Sequence, residues 1–221
     1  MTKKILITGA NGQLGHEMRN ALKGNNRFEC IFTDVAELDI CNAEAVKQII
    51  ADNHIDYIVN CAAYTQVDKA EDNAELCKKI NTDAVENLAR AAATYGARMI
   101  HISTDYVFNG RGYRPYTEDV VPDPQSVYGS TKLEGEKILT DICPESIIIR
   151  TAWLYSPYGN NFVKTMLHLG EEREELSVVA DQIGTPTCAA DLAQAILVIL
   201  QADTFVPGTY HFSDEGACSW Y

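Results

Sequence analysis

Lys4-Ile-Leu-Ile-Thr8 runs directly into Gly9-Ala-Asn-Gly-Gln-Leu-Gly15, and a helical pattern follows over Gly12–Lys23. Strand, glycine turn and helix in that order are the context a dinucleotide-binding turn requires. Each glycine has a separate physical task. Gly9 permits the tight turn, Gly12 lets the backbone approach a pyrophosphate, and Gly15 lets the helix pack close to the strand. The helix N-terminus then offers free amides and partial positive charge to phosphates.

Outward from this turn, apolar runs alternate with helical patterns. Strands are expected at Phe28–Thr33, Ile55–Asn60, Arg98–Ser103 and Ser146–Arg150. Between them, helices are expected at Asn42–Asp52, Asn73–Tyr95 and Ser126–Ile142. The strands are continuous apolar runs, as when both faces of a parallel sheet are covered. The fold class is therefore α/β, a Rossmann-type doubly wound parallel sheet over residues 1–150. Residues 151–221 follow as part of a small substrate-binding lobe, with helices at Asn160–Leu169 and Ala189–Gln201 and short strands at Leu176–Ala180 and Thr209–Phe212. Gly110–Pro124 reads as a loop. The chain stops at Ser219-Trp220-Tyr221 without winding down, so the lobe is expected to be incomplete and the native chain to continue.

Bulk composition excludes several function classes. The net charge of −13, without a Lys/Arg cluster, argues against a nucleic-acid partner. No apolar run approaches membrane-spanning length. Seven scattered cysteines show no metal-ligand spacing, so no metal is expected, and reduced thiols in the cytoplasm are.

Asp34 closes the second strand at the distance where an acid accepts hydrogen bonds from an adenosine ribose, and no cation between Thr33 and Ile40 awaits a 2′-phosphate. A plain turn residue is the other reading of Asp34. Asp39 and Ile40 follow within reach of an adenine edge. Ala62, Ala63, Tyr64 and Thr65 leave the third strand at the edge where ligands bind in open parallel sheets. Their small residues suit either a passing cofactor or close helix–sheet packing.

The fourth strand ends in Ile102-Ser-Thr-Asp-Tyr-Val-Phe108, and Tyr128-Gly-Ser-Thr-Lys132 lies on the next helix. The spacing of four puts Tyr128 and Lys132 on one helical face. A reductase must give a proton to the oxygen that takes the hydride's electrons. A free phenol, with a pKa near 10, holds that proton tightly, and a neighbouring ammonium is expected to lower it. Lys132 also suits a nicotinamide ribose, and the Thr104 hydroxyl suits the substrate oxygen.

These motifs resemble the extended short-chain dehydrogenases/reductases and, within them, the dTDP-4-dehydrorhamnose reductases. The matching stretches are Gly9–Gly15, Asn60–Glu71, Ser103–Phe108, Tyr128–Glu136, Arg150–Tyr155, Gly159–Val163 and Asp181–Thr187. The resemblance implies a sugar-nucleotide substrate and hydride reduction at C4 of dTDP-4-dehydro-L-rhamnose. It implies Thr104, Tyr128 and Lys132 as the catalytic trio, with Asp105 and Trp153 near the sugar. It implies Gly12, Gln13, Leu14, Asp34, Asp39, Ile40, Ala63, Tyr64 and Thr65 against the cofactor. Asn160-Asn161 and Gln182–Thr187 would face the nucleotide end. The family uses NADPH as well as NADH, whereas Asp34 argues locally for NADH, so both cofactors stay open. A homodimer is the candidate assembly.

Three rivals are open at this point. A sugar-nucleotide dehydratase would carry Thr-Asp-Glu here, and Tyr106 stands in place of the Glu. An epimerase would keep its cofactor bound through every turnover. A regulatory binding subunit, resembling that of methionine adenosyltransferase, would not consume cofactor.

Overall fold

Along the first strand Ile5 and Ile7 enter one hydrophobic core while Leu6, between them, enters another. The same alternation recurs in the parallel neighbours, where Ile58 and Val59 divide between the two cores, as do Met99 and Ile100. Two-faced burial of this kind requires a sheet with helices on both sides. The computed structural model, which describes residues 2–221, shows that arrangement.

In chain order the elements begin with β1 (Lys3–Thr8), α1 (Gln13–Ala21), β2 (Phe28–Thr33), α2 (Ala43–Asn53) and β3 (Tyr57–Asn60). Next come α3 (Val67–Asp72), α4 (Ala74–Lys78), a π-helical turn (Lys79–Asp83) and α5 (Ala84–Tyr95). β4 (Arg98–Thr104), a 3-10 turn (Asp105–Val107), α6 (Val127–Ile142) and β5 (Ile147–Thr151) follow. The last part holds β6 (Leu154–Tyr155), α7 (Phe162–Glu172), β7 (Ile183–Gly184), β8 (Thr187–Cys188), α8 (Ala189–Gln201), β9 (Gly208–His211) and β10 (Cys218–Ser219).

The main sheet has six parallel strands in the order β2-β1-β3-β4-β5-β9. The direction in which successive strands are added reverses between β1 and β3, which is where an open α/β sheet forms its ligand crevice. Leu14 and Met18 of α1 pack with Leu192 and Ile196 of α8 on one face. Val46 and Ile50 of α2, Leu88 of α5 and Leu139 of α6 cover the other. The helix ends are built by ordinary capping. Asn42, Ser126 and Asn161 each accept a backbone N–H at the starts of α2, α6 and α7.

Three element expectations need correction. Leu176–Ala180 forms no strand; Val179 is exposed, and no neighbouring edge pairs with the run. An isolated apolar run without a hydrogen-bonding partner gains nothing by extending. The expected helix Asn73–Tyr95 is interrupted by the π turn, because Asn81 is drawn inward to the Tyr64 backbone. The short strand expected at Thr209–Phe212 forms as β9, but as the sixth strand of the main sheet rather than over it. Helix α3 had no expectation at all.

Candidate active site

The glycine turn separates what the protein needs from what a ligand needs. Gly9 has φ +64°, and a Cβ there would stand 2.6 Å from the Ala62 nitrogen. A Cβ at Gly15 would collide with the Gly9 carbonyl. Packing alone therefore accounts for both. Gly12 is different: it is exposed, and a Cβ would meet only the Gly9 oxygen, at 3.3 Å. Gly12 also starts α1 without any side-chain cap, and no acid occupies the first turn. The bare surface and uncapped amides leave an open cradle for an anion, which fits a dinucleotide pyrophosphate.

The residues around that cradle take distinct positions. Asp34 accepts the Asn11 N–H through Oδ2 (2.9 Å) and the Val35 N–H through Oδ1 (2.8 Å), so both carboxylate oxygens hold the turn. Asp39 is exposed and accepts the Cys41 N–H. The Leu14 and Ile40 side chains are buried in the two cores, which leaves only their backbones for a ligand. Ala62, Ala63 and Tyr64 are half-buried beyond β3, and Thr65 is exposed. Asn81 accepts from the Tyr64 N–H (2.8 Å) and donates to the Tyr64 carbonyl (3.0 Å), clamping that strand exit from the π turn. Nothing in the spacing of the sequence pointed to Asn81.

Gln13 joins the two ends of the crevice. Its Nε2 donates to the Leu154 carbonyl (3.3 Å), and its Oε1 accepts from Asn161 Nδ2 (2.9 Å). A residue expected at the cofactor and one expected at the nucleotide end of the substrate are thus in direct contact.

Thr104 ends β4. Its Oγ1 accepts from the Tyr106 N–H and donates to Asp105 Oδ1 (3.1 Å). Tyr128 lies in the first turn of α6, buried against Ala70 and Cys77, with the Tyr106 ring edge-on to it at 5.5 Å. Gly129 allows this fit, since a Cβ would collide with the Tyr106 carbonyl. Burial drives the Tyr128 phenol above its ordinary range; Thr104 draws it down, while Asp105, Tyr106 and Cys77 push it further up. Burial also lifts the Asp105 carboxyl to about 6.

Lys132 is wholly buried. Its Nζ donates to the Ile102 carbonyl (2.7 Å) and faces His101 Nε2 (3.2 Å). Burial lowers it to about 8, with Glu136 and then Cys77 pulling the other way. The expectation that the Lys132 ammonium lowers the Tyr128 pKa is not met here. The phenol's dominant influences are its own burial and its near neighbours, while the lysine's hydrogen bonding is directed into β4.

Trp153 holds a left-handed backbone, φ +48°, which a bulky residue adopts only where its surroundings impose it. Its indole stacks on Trp220 at 3.7 Å, and a Cβ on Gly184 would stand 2.6 Å from it. Trp220 donates to Gln182 Oε1 (3.0 Å) and leans on Phe162. The sequence reading missed Trp220, because contact with Trp153 requires β10 to pair with β7. Among the described residues, no group of three His, Cys, Asp or Glu side chains is placed to hold a metal ion.

Comparisons with known proteins identify the family. The family model for the RmlD substrate binding domain matches residues 3–221. A dTDP-4-dehydrorhamnose reductase of Aggregatibacter actinomycetemcomitans is 44% identical over 222 residues, 99% of this chain and 76% of that protein. The crystal structure of a dTDP-4-dehydrorhamnose reductase from Clostridium acetobutylicum superposes with a TM-score of 0.95 at 51% identity, covering 99% of this chain and 76% of that one. The Bacillus anthracis dTDP-4-dehydrorhamnose reductase in complex with NADP gives 0.94 at 44% identity, covering 100% and 78%. With identity at this level over nearly every described element, the chain belongs to the dTDP-4-dehydrorhamnose reductase family.

Proposed function

We propose that this chain reduces the 4-keto group of dTDP-4-dehydro-L-rhamnose to dTDP-L-rhamnose, using NADPH or NADH. The observation that carries the reading is the Tyr128 phenol, buried in the first turn of α6 within reach of the Thr104 hydroxyl at the end of β4, in a sheet whose β1–α1 glycine turn is uncapped. The bound cofactor supplies the hydride. Gly12, Gln13 and the first amides of α1 would hold its phosphates, with Asp34, Asp39 and the backbone of Ile40 toward the adenosine. Gly9 and Gly15 shape that turn, and Ala62, Ala63, Tyr64 and Thr65 border it.

Thr104 orients the substrate oxygen through its hydroxyl. Tyr128, kept protonated by burial, transfers its proton to that oxygen as negative charge develops there. Lys132, on α6, is anchored through its Nζ to the Ile102 carbonyl of β4. Asp105, Trp153 and Asn161 would line the sugar-nucleotide side, with Trp153 held by Trp220. Dehydration would need a second acid where Tyr106 instead lies against Tyr128.

Each Asp34 oxygen accepts one backbone N–H and keeps a second lone pair, so the carboxylate can still accept from the adenosine ribose, which favours NADH locally while the family uses NADPH as well. Loss of absorbance from NADPH or NADH on adding dTDP-4-dehydrorhamnose tests the reading, with both cofactors run side by side. No loss with either would overturn it and favour a regulatory binding role.

The finer parts of the proposal are a cytoplasmic location and a homodimer. Seven free cysteines support the first. The second is supported by α7, which buries none of its residues and exposes Val163 and Leu167. Light scattering reads the assembly directly.

A further inference from the structure

Beneath the proposed active site a single chain of hydrogen bonds crosses four segments. Thr8 Oγ1 donates to Asn60 Oδ1 (2.6 Å), Asn60 Nδ2 meets His101 Nδ1 (3.0 Å), and His101 Nε2 meets Lys132 Nζ (3.2 Å). All four side chains are buried, and the sheet register sets Thr8 beside Asn60 and Asn60 beside His101. Water does not reach these groups, so each contact must pair one proton with one lone pair.

The Ala62 amide favours one proton inventory. The Ala62 amide can only donate, and it donates to Asn60 Oδ1 (3.2 Å). This fixes which way the Asn60 amide faces, so its Nδ2 can only donate to His101. His101 Nδ1 is therefore bare. Burial, independent of any charge on Lys132, holds the imidazole below its usual range, so the ring is neutral and, with Nδ1 bare, its one proton sits on Nε2. That proton points at Lys132. An ammonium there would set two donors against each other, whereas a neutral amine accepts from His101 and donates to the Ile102 carbonyl.

We propose that Asn60 and His101 are positioning residues that favour the neutral amine of Lys132 in the cofactor-free protein, with its lone pair directed at His101 Nε2–H. The other titratable groups acting on Lys132 are Glu136 on its own helix and Cys77 on α4; Glu136 is itself paired with Arg150 of β5. Lys132 thus acquires its charge only by taking up a proton, and doing so forces the imidazole to change tautomer or Asn60 to turn. The positive charge on Lys132 becomes a switchable quantity rather than a permanent one.

Nitrogen NMR of the histidine rings in the cofactor-free protein tests this directly, together with the pH titration of the Lys132 side chain. The expected result is the Nε2–H tautomer for His101. Asn60→Asp offers an acceptor to Nδ1–H and should reverse the tautomer. His101→Gln can turn an amide oxygen toward the ammonium without adding charge, and should raise the Lys132 midpoint by about one pH unit or more. An Nδ1–H tautomer in the unsubstituted protein would overturn the proposal, as would an unchanged Lys132 midpoint in His101→Gln. The ring tautomer is read without substrate or cofactor, so failure here and failure of the reductase assay are separate results.

Discussion

Tyr128 and Lys132 sit one helical turn apart, yet burial moves them in opposite directions: the phenol up and the ammonium down. Both shifts favour the uncharged form, as desolvation requires. Removing the phenolic oxygen should therefore cost catalysis and little else. Tyr128→Phe is expected to lower turnover by about 10²–10⁴-fold, the usual contribution of a positioned proton donor. Cofactor affinity, followed by fluorescence quenching, should stay close to its starting value, and near-normal turnover would refute the role. Asp105 makes a different statement. Its folded-state pKa rises from 3.8 to about 6, so the folded protein binds that proton more tightly than the unfolded chain does. The stabilisation is complete below 3.8 and is lost as pH rises to about 6. Asp105→Asn should remove that decline, and urea unfolding across this window measures it; an undiminished slope in the variant would show that other groups are responsible.

At the scale of the element, the turn between β1 and α1 divides its glycines by purpose. Gly9→Ala forces a side chain into the Ala62 backbone at a positive φ, so it should destabilise the fold. Gly12→Ala meets only one oxygen at 3.3 Å and should fold normally while binding cofactor more weakly. Thermal melts and cofactor titrations on both variants separate the two effects. Equal loss of stability in both would mean that Gly12 also serves packing. The turn was legible in the sequence because glycine is the one residue whose local chemistry announces its role. The π turn at Lys79–Asp83 was not legible, because its cause is a tertiary hydrogen bond between Asn81 and Tyr64.

Across the whole molecule, Arg150 on β5 and Glu136 on α6 form a buried bidentate pair, with Nη2–Oε2 at 2.7 Å and Nε–Oε1 at 3.0 Å. His211 of β9 lies against the same guanidinium, so one charge pair ties helix, sheet and the sixth strand together. Arg150→Met would strand the Glu136 carboxylate and should cost about 3–5 kcal/mol in chemical denaturation. Adding Glu136→Leu should recover much of the loss, since the pair vanishes with its desolvation penalty. A double variant as unstable as the sum of the singles would argue that the pair is not coupled.

Reading along the chain was enough to settle the alternating α/β class and the dinucleotide turn, and to single out Thr104, Tyr128 and Lys132. Periodicity, glycine punctuation and helical spacing are local properties, and local properties survive in one dimension. The placement of the last strands emerged from the folded chain: β9 joins the main sheet, and β10 lies beside β7 so that Trp220 covers Trp153. The tertiary structure alone also showed the Thr8–Asn60–His101–Lys132 chain, since those groups come from segments far apart in sequence. The physical reason is common to both cases. Strand pairing and buried proton matching are set by which groups water has left, and water leaves only when the whole chain has folded.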